Sequence, residues 1–185
     1  MCAAGQGEVK REDGPRCGPY MGRGMAKISA GLLMYRRGAS GVEVLLVHPG
    51  GPLWKNKEKG AWSIPKGEVH LGEDLLEAAR REFEEELGSV AAGEFIPLAP
   101  IRQKSGKVVH AWAVEGSIDT ASIRSNTFEM EWPPKSGKRV AFAEVDRAEF
   151  VDVETAKRRI NPAQVALVEE LSRILAGGGG KNALF

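Results

Sequence analysis

Residues 67–88 read GEVHLGEDLLEAARREFEEELG, and the fold follows from how this stretch is read. Leu76, Ala79, Phe83 and Leu87 recur every three or four residues, which predicts a helix over Asp74 to Leu87 with one apolar stripe. No β-branched residue interrupts it, Gly72 and Glu73 lead into it, and Gly88 stops it. At about 100° per residue, Glu82 and Glu86 stand one above the other, and Glu85 adjoins both. The three carboxylates flank the apolar stripe, so the stripe can dock on a sheet while the acids gather at its margin.

Alone, such a cluster opposes the helix. Like charges four residues apart destabilise it by roughly 0.2–0.5 kcal/mol per pair, and the C-terminal end of the dipole disfavours anions. Two readings stay open on spacing alone. Glutamate is a strong helix former, and Arg80 and Arg81 can offset a solvated acidic face. Alternatively, a hard divalent cation binds these oxygens and reverses the sign of the repulsion.

Upstream, Ile28 to Tyr35 reads as a central strand running into a turn at Arg36-Arg37-Gly38. Val42 to Val47 reads as its antiparallel hairpin partner. Residues 49–60 form a loop punctuated by Pro49, Gly50, Gly51 and Pro52 and made basic by Lys55, Lys57 and Lys59. Ala61 to Ile64 is expected as a short strand ended by Pro65.

Downstream, Phe95 to Ile101 and Lys107 to Val114 read as strands joined by a turn at Ser105-Gly106. Residues 117–134 show no period. A short edge strand is expected at Val140 and Phe142, another at Phe150, Val151 and Val153, and a short helix over Glu154 to Ile160. Asn161-Pro162 starts a last helix with Val165, Val168, Leu171 and Leu175 on one face, ended by the glycines of 177–180. The class is therefore α/β, a twisted antiparallel or mixed sheet with helices on both faces. A parallel dinucleotide-binding fold fits worse, because no Gly-x-Gly-x-x-Gly lies between a strand and a helix.

A chain of 185 residues is long enough for one compact core. Three units are expected: an N-terminal arm over 1–25, the domain over 26–176 and a tail over 177–185. A net charge of +1 gives no general case for nucleic-acid or membrane binding. No apolar run is long enough to span a membrane. Cys2 and Cys17 lie in the arm, far from an expected core, and together with the lack of a signal-like start they make the cytoplasm the expected compartment.

The same stretch resembles the signature of the Nudix hydrolase family. Gly67, then Glu73 at the required distance, then Arg81, Glu82, Phe83, Glu85, Glu86 and Gly88 match in register. The last apolar position holds Ser89, with Val90 one residue later; that position packs and leaves the chemistry intact. Ile64-Pro65-Lys66-Gly67 matches the strand and turn that precede the signature, and Glu144 ahead of Phe150 resembles a downstream acid of the family.

The resemblance implies an α/β/α sandwich with a mixed sheet, and hydrolysis of a nucleoside diphosphate linked to a further group with Mg²⁺ or Mn²⁺. Glu82, Glu85 and Glu86 are then metal ligands, joined by the backbone carbonyl of Lys66 and by Glu144. Glu144 or Glu85 serves as general base, and Arg81 orients a neighbouring carboxylate, with Glu73 as its partner. Arg36, Lys55, Lys57 and Lys66 are candidate phosphate readers.

Trp54 and Trp132, both expected in loops, are candidate base-stacking residues. His48 is read as a hydrogen-bonded structural residue. The leading substrate expectation is a dinucleoside polyphosphate, suited to the basic loop. Nucleoside triphosphates, ADP-ribose and an RNA 5′ end remain alternatives, as does a nucleotide-binding regulatory module without turnover. A homodimer is compatible with the sequence and not required by it.

Overall fold

The computed structural model describes residues 27–39 and 41–178. The expected arm lies outside the described residues, as do residues 179–185 of the expected tail. In chain order the elements are β1 (Ile28–Gly38), β2 (Gly41–Pro49), β3 (Lys66–Glu68), α1 (Leu75–Leu87), β4 (Phe95–Arg102), β5 (Val108–Glu115), β6 (Thr127–Glu131), β7 (Arg139–Ala143), β8 (Val145–Asp152), α2 (Val153–Arg159), a 3₁₀ turn (Pro162–Gln164) and α3 (Val165–Gly178).

The main sheet runs β4-β5-β1-β2-β8, with β3 also paired to β1. β1 is central and buried on both faces, as its near-continuous apolar run requires. It runs parallel to β5 from Ile28 opposite Val108 to Tyr35 opposite Glu115, and the other pairings are antiparallel, so the sheet is mixed.

The second edge of β1 is shared. Tyr35 to Gly38 pair with β2, whereas Ser29 to Gly31 pair with β3. Between them Leu32 N donates to Pro65 O at 3.1 Å, and Val47 bridges Ser63. Residues 62–68 are thus wedged between two strands that splay apart. Gly31 permits the closeness, since a Cβ there would lie 2.5 Å from both Pro65 O and the Lys66 Cβ.

Two apolar clusters flank the sheet. On one face Ala79, Phe83 and Leu87 of α1 pack on Leu32, Met34 and Leu45. On the other, Leu167, Val168 and Leu171 of α3 and Ala156 of α2 pack on Leu33, Leu46, Val109 and Ala111. Helices on both faces of a mixed sheet give the expected α/β/α sandwich. Phe83 is fully buried, and its truncation to alanine would cost about 3–5 kcal/mol.

Several expectations are corrected. β1 continues through Arg36-Arg37-Gly38, and the turn comes after Gly38. Residues 61–64 form only isolated bridges. Pro65 does not end the pairing, because its carbonyl accepts from β1 and the ladder resumes at Lys66. The stretch without period contains β6, which pairs with β7 as a separate two-stranded sheet. Val153 opens α2, because the Asp152 side chain accepts from Thr155 N and caps the helix there. Val90 is exposed, and Ala91 takes the packing place after α1. Among the described residues no helix is long and apolar enough to cross a membrane.

Candidate active site

Both ends of α1 are satisfied locally. Asp74 Oδ1 accepts from Leu76 N at 2.9 Å and Glu77 N at 3.2 Å. Gly88 closes the helix in the left-handed region at φ 67°, its N–H donating to Glu84 O. No basic residue stands in the last turn, so nothing on the helix itself relieves the dipole at the glutamate cluster.

β3 is laid directly against this turn. A Cβ on Gly67 would fall 1.8 Å from Glu82 Oε2, so only glycine leaves room for that carboxylate. Lys66 N–H donates to Glu86 Oε2 at 3.3 Å. Glu144 arrives between β7 and β8 and is held by its own backbone: its N–H donates to Asn126 O at 2.8 Å and its carbonyl accepts from Gly50 N at 2.9 Å. Glu82, Glu85, Glu86, Glu144 and Lys66 line one open depression of about 380 Å³, with Asn126 at its side.

This crowding shifts proton affinities. Burial pushes the Glu86 carboxyl up to about 8; the charge and N–H of Lys66 pull it back, while Glu82 and Glu144 push further. Burial also raises Glu82, opposed by Arg81 and reinforced by Glu85 and Glu144. Lys66 is lowered, burial again being the largest cause. Charge here is poorly solvated and partly uncompensated.

Arg81 governs how the acids point. Its Nη1 donates to Glu82 Oε1 at 2.7 Å and Glu85 Oε2 at 3.3 Å, and its Nη2 reaches Glu68 O at 3.1 Å. Among the described residues no three acid, imidazole or thiolate groups already stand in the arrangement of a formed metal site. The donor set, all carboxylate and carbonyl oxygen, suits a hard divalent cation. Arg81 holds one oxygen each of Glu82 and Glu85, and Lys66 N–H holds one of Glu86, which leaves the second oxygen of each for a cation.

A second depression of about 240 Å³ adjoins the first and shares Lys66, Glu86 and Glu144 with it. Its other walls include Trp54, Trp62, Gln103 and Asn161. Trp54 is 39% exposed, whereas Trp62 is fully buried. Lys57 Nζ lies 4.7 Å from the Trp54 ring centroid.

The structure therefore brings Glu82, Glu85, Glu86, Glu144, Lys66 and Arg81 to one depression and Trp54 to its neighbour. Lys55 and Lys57 sit on the Trp54 loop without lining either. Arg36 stands elsewhere, its Nε donating to Glu43 Oε2 at 2.7 Å and its guanidinium 4.1 Å from the Phe150 ring centroid. Trp132, just after β6, lines neither depression.

Sequence reasoning missed Asn126, Gln103 and Gln164. Asn126 lies in the stretch without period, and the other two carry no pattern; Gln103 lies beside a predicted turn. Asn161 was legible as a helix start, and its Oδ1 accepts from Ala163 N at 3.0 Å.

Comparison with known proteins agrees with this architecture. An octanoyltransferase of Myxococcus xanthus is 33% identical over 101 residues, 55% of this chain, and the chain spans 25% of that protein's length. A binary complex of the C. elegans Ap4A hydrolase superposes with a TM-score of 0.58 at 23% identity, covering 80% of this chain and 98% of that one. The NUDIX domain of Shewanella oneidensis NrtR, complexed with ADP-ribose, gives 0.58 at 15% identity, covering 81% and 88%. At these identities the two structures show the fold. A family model described as NUDIX domain matches residues 25–171. With that match spanning the sheet, the carboxylate helix and the first half of α3, the chain belongs to the NUDIX domain family.

Proposed function

We propose that the chain is a divalent-metal-dependent pyrophosphohydrolase that cleaves a nucleoside diphosphate linked to a further group, a dinucleoside polyphosphate foremost. One observation carries the reading: Glu82, Glu85 and Glu86 of α1, Glu68 of β3 and Glu144 line a single depression in which burial pushes Glu86 up to about 8. Glu82 and Glu86 are held largely out of water, whereas a structural acidic face would spread them into it.

Glu82, Glu85, Glu86, Glu144 and the Lys66 carbonyl are the residues that would hold Mg²⁺ or Mn²⁺. When bound, the cation supplies charge neutralisation for phosphate oxygens. Glu144 or Glu85 takes the proton of the attacking water as its oxygen bonds to phosphorus and the P–O anhydride bond breaks, the electron pair leaving with the departing phosphate. Arg81 keeps Glu82 and Glu85 oriented between turnovers. Trp54 gives the base a stacking face beside the scissile group, and Lys55, Lys57 and Lys66 favour a long phosphate chain. The cytoplasm suits a chain with only two cysteines and no disulfide-scaffold spacing.

The test is a panel of nucleotides with Mg²⁺ and with Mn²⁺, both products being identified. Dinucleoside polyphosphate should be turned over faster than ADP-ribose, and Glu85→Gln and Glu86→Gln should stay folded while losing turnover. Faster ADP-ribose hydrolysis would overturn the substrate assignment. Lack of any cation-dependent turnover would overturn the enzyme reading in favour of a binding module.

A further inference from the structure

His48 is the next-to-last residue of β2 and is fully buried, yet the hydrolytic scheme above has no task for it. Both of its ring nitrogens are engaged: Nδ1 lies 2.7 Å from Asp146 Oδ1 and Nε2 lies 2.8 Å from Lys57 O. A carbonyl can only accept, so Nε2 donates to Lys57 O, and the Asp146 carboxylate faces the other ring nitrogen.

The pairing of β2 with β8 supplies the carboxylate. His48 pairs with Arg147 and Pro49 with Val145, which leaves Asp146 as the extra residue of a bulge. Bulges re-aim side chains, and this one turns Asp146 onto the ring. The other nitrogen connects to the Trp54 loop through one peptide: Lys57 O accepts from His48, while Lys57 N donates to Trp54 O at 2.7 Å.

We propose that His48 is a positioning residue that latches the 50–60 loop to β8 and thereby fixes Trp54 at the wall of the second depression. The latch is the pair of ring contacts, one to the β8 bulge and one to the loop carbonyl, so a side chain without ring nitrogens at position 48 frees Trp54.

Other charges meet the site through Trp62, whose ring lies edge-on to His48 at 5.2 Å. Arg147 of β8 and Arg159 of α2 lie over that ring at 5.2 and 5.4 Å, and Glu58 Oε2 accepts from Trp62 Nε1 at 3.0 Å. Glu58 Oε1 also accepts from Arg147 Nη1 at 2.9 Å, a second tie between loop and β8 that keeps the loop attached when the first opens.

The kinetic arm of the test rests on the hydrolase reading, and the exchange arm does not. Amide hydrogen exchange of residues 50–60 and KM and kcat for a dinucleoside polyphosphate are measured on the full chain. His48→Phe, which removes both ring nitrogens, should show raised loop exchange and a KM raised about tenfold, with kcat within about twofold.

Asp146→Ala is the discriminating variant: it removes the carboxylate that holds the ring and should also raise loop exchange and KM, less than His48→Phe does, because Lys57 O keeps its donor. A folded His48→Phe protein with wild-type loop exchange would overturn the proposal. Should His48→Phe not fold, Asp146→Ala decides, and wild-type exchange and KM there would overturn it. Should no nucleotide be hydrolysed, loop exchange still decides, and only the enzyme reading has failed.

Discussion

Arg81 grips Glu73 with two parallel bonds, Nε to Oε1 at 2.8 Å and Nη2 to Oε2 at 3.0 Å. The fork joins the loop before α1 to the turn that carries the glutamates, and Glu73 further accepts from His70 N at 2.8 Å. One guanidinium therefore ties down the loop with one edge and orients Glu82 and Glu85 with the other.

The first prediction concerns acid stability. The Arg81 fork and the His70 N–H lower the Glu73 carboxyl from its ordinary 4.5 to about 2. A depressed folded-state pKa contributes stability that is fully present above the unfolded value and is lost as pH falls through the folded one. Urea unfolding followed between those two values should show the stability advantage of wild type over Glu73→Gln shrinking toward the acid end. A constant difference would show that the fork contributes no proton linkage.

Glu86→Gln should move activity and stability in opposite directions. The buried carboxyl is raised from 4.5 to about 8, so between those values the folded, metal-free protein holds a proton that the unfolded chain has released. Stability then falls as pH rises through that window. Glutamine removes the slope and should leave the metal-free variant more stable than wild type at alkaline pH. Its kcat should drop by on the order of a hundredfold or more, the range supplied by charge-stabilising and acid–base groups. Thermal melts with and without Mg²⁺, beside turnover, check both halves.

Gly67→Ala probes the contact between β3 and α1. Its Cβ would overlap the Glu82 carboxylate, so Glu82 must swing away from the depression. The clash is with the end of a flexible side chain, so stability should change little while Mn²⁺ binding by calorimetry weakens. Unchanged Mn²⁺ affinity would remove Glu82 from the ligand set.

Gln164→Leu should destabilise the protein without touching the carboxylates. Gln164 is fully buried; its Oε1 accepts from Ile64 N at 3.0 Å, and its Nε2 donates to Ser63 Oγ at 3.1 Å. Leucine leaves the Ile64 N–H buried without a partner, a loss of about 1–3 kcal/mol in chemical denaturation.

Legibility followed periodicity and fixed spacing. α1, the β1–β2 hairpin and the β4–β5 pair each combine an apolar pattern with a turn or cap that marks their ends, and each was read in place. The register of Gly67 to Gly88 marked the carboxylate helix through its resemblance to a family signature, whereas charge spacing alone left a solvated acidic face open. β3 was hidden, since Lys66-Gly67-Glu68 has no strand-like side chain and exists only because β1 needs a partner. β6 was hidden because its alternation, Phe128 and Met130 between acids, is too short to stand out. Arg36 and Trp132 were chosen by residue type alone, and a basic or aromatic side chain carries no information on which end of a sheet it reaches. Gln164 bonds to residues about a hundred positions away, a relation no local pattern records.

The wedge of residues 62–68 between β1 and β2 also sorts the chain by its tolerance of length change. A single inserted residue there would invert the facing of every side chain from the insertion to Glu68, moving core-filling Ile64 or the lysine that faces Glu86 to the wrong side. The 50–60 loop and the β6–β7 hairpin tip have no such parity to preserve. Tags, reporters or grafted recognition segments belong at the Lys135–Lys138 tip, where added chain perturbs neither the main ladder nor the acids.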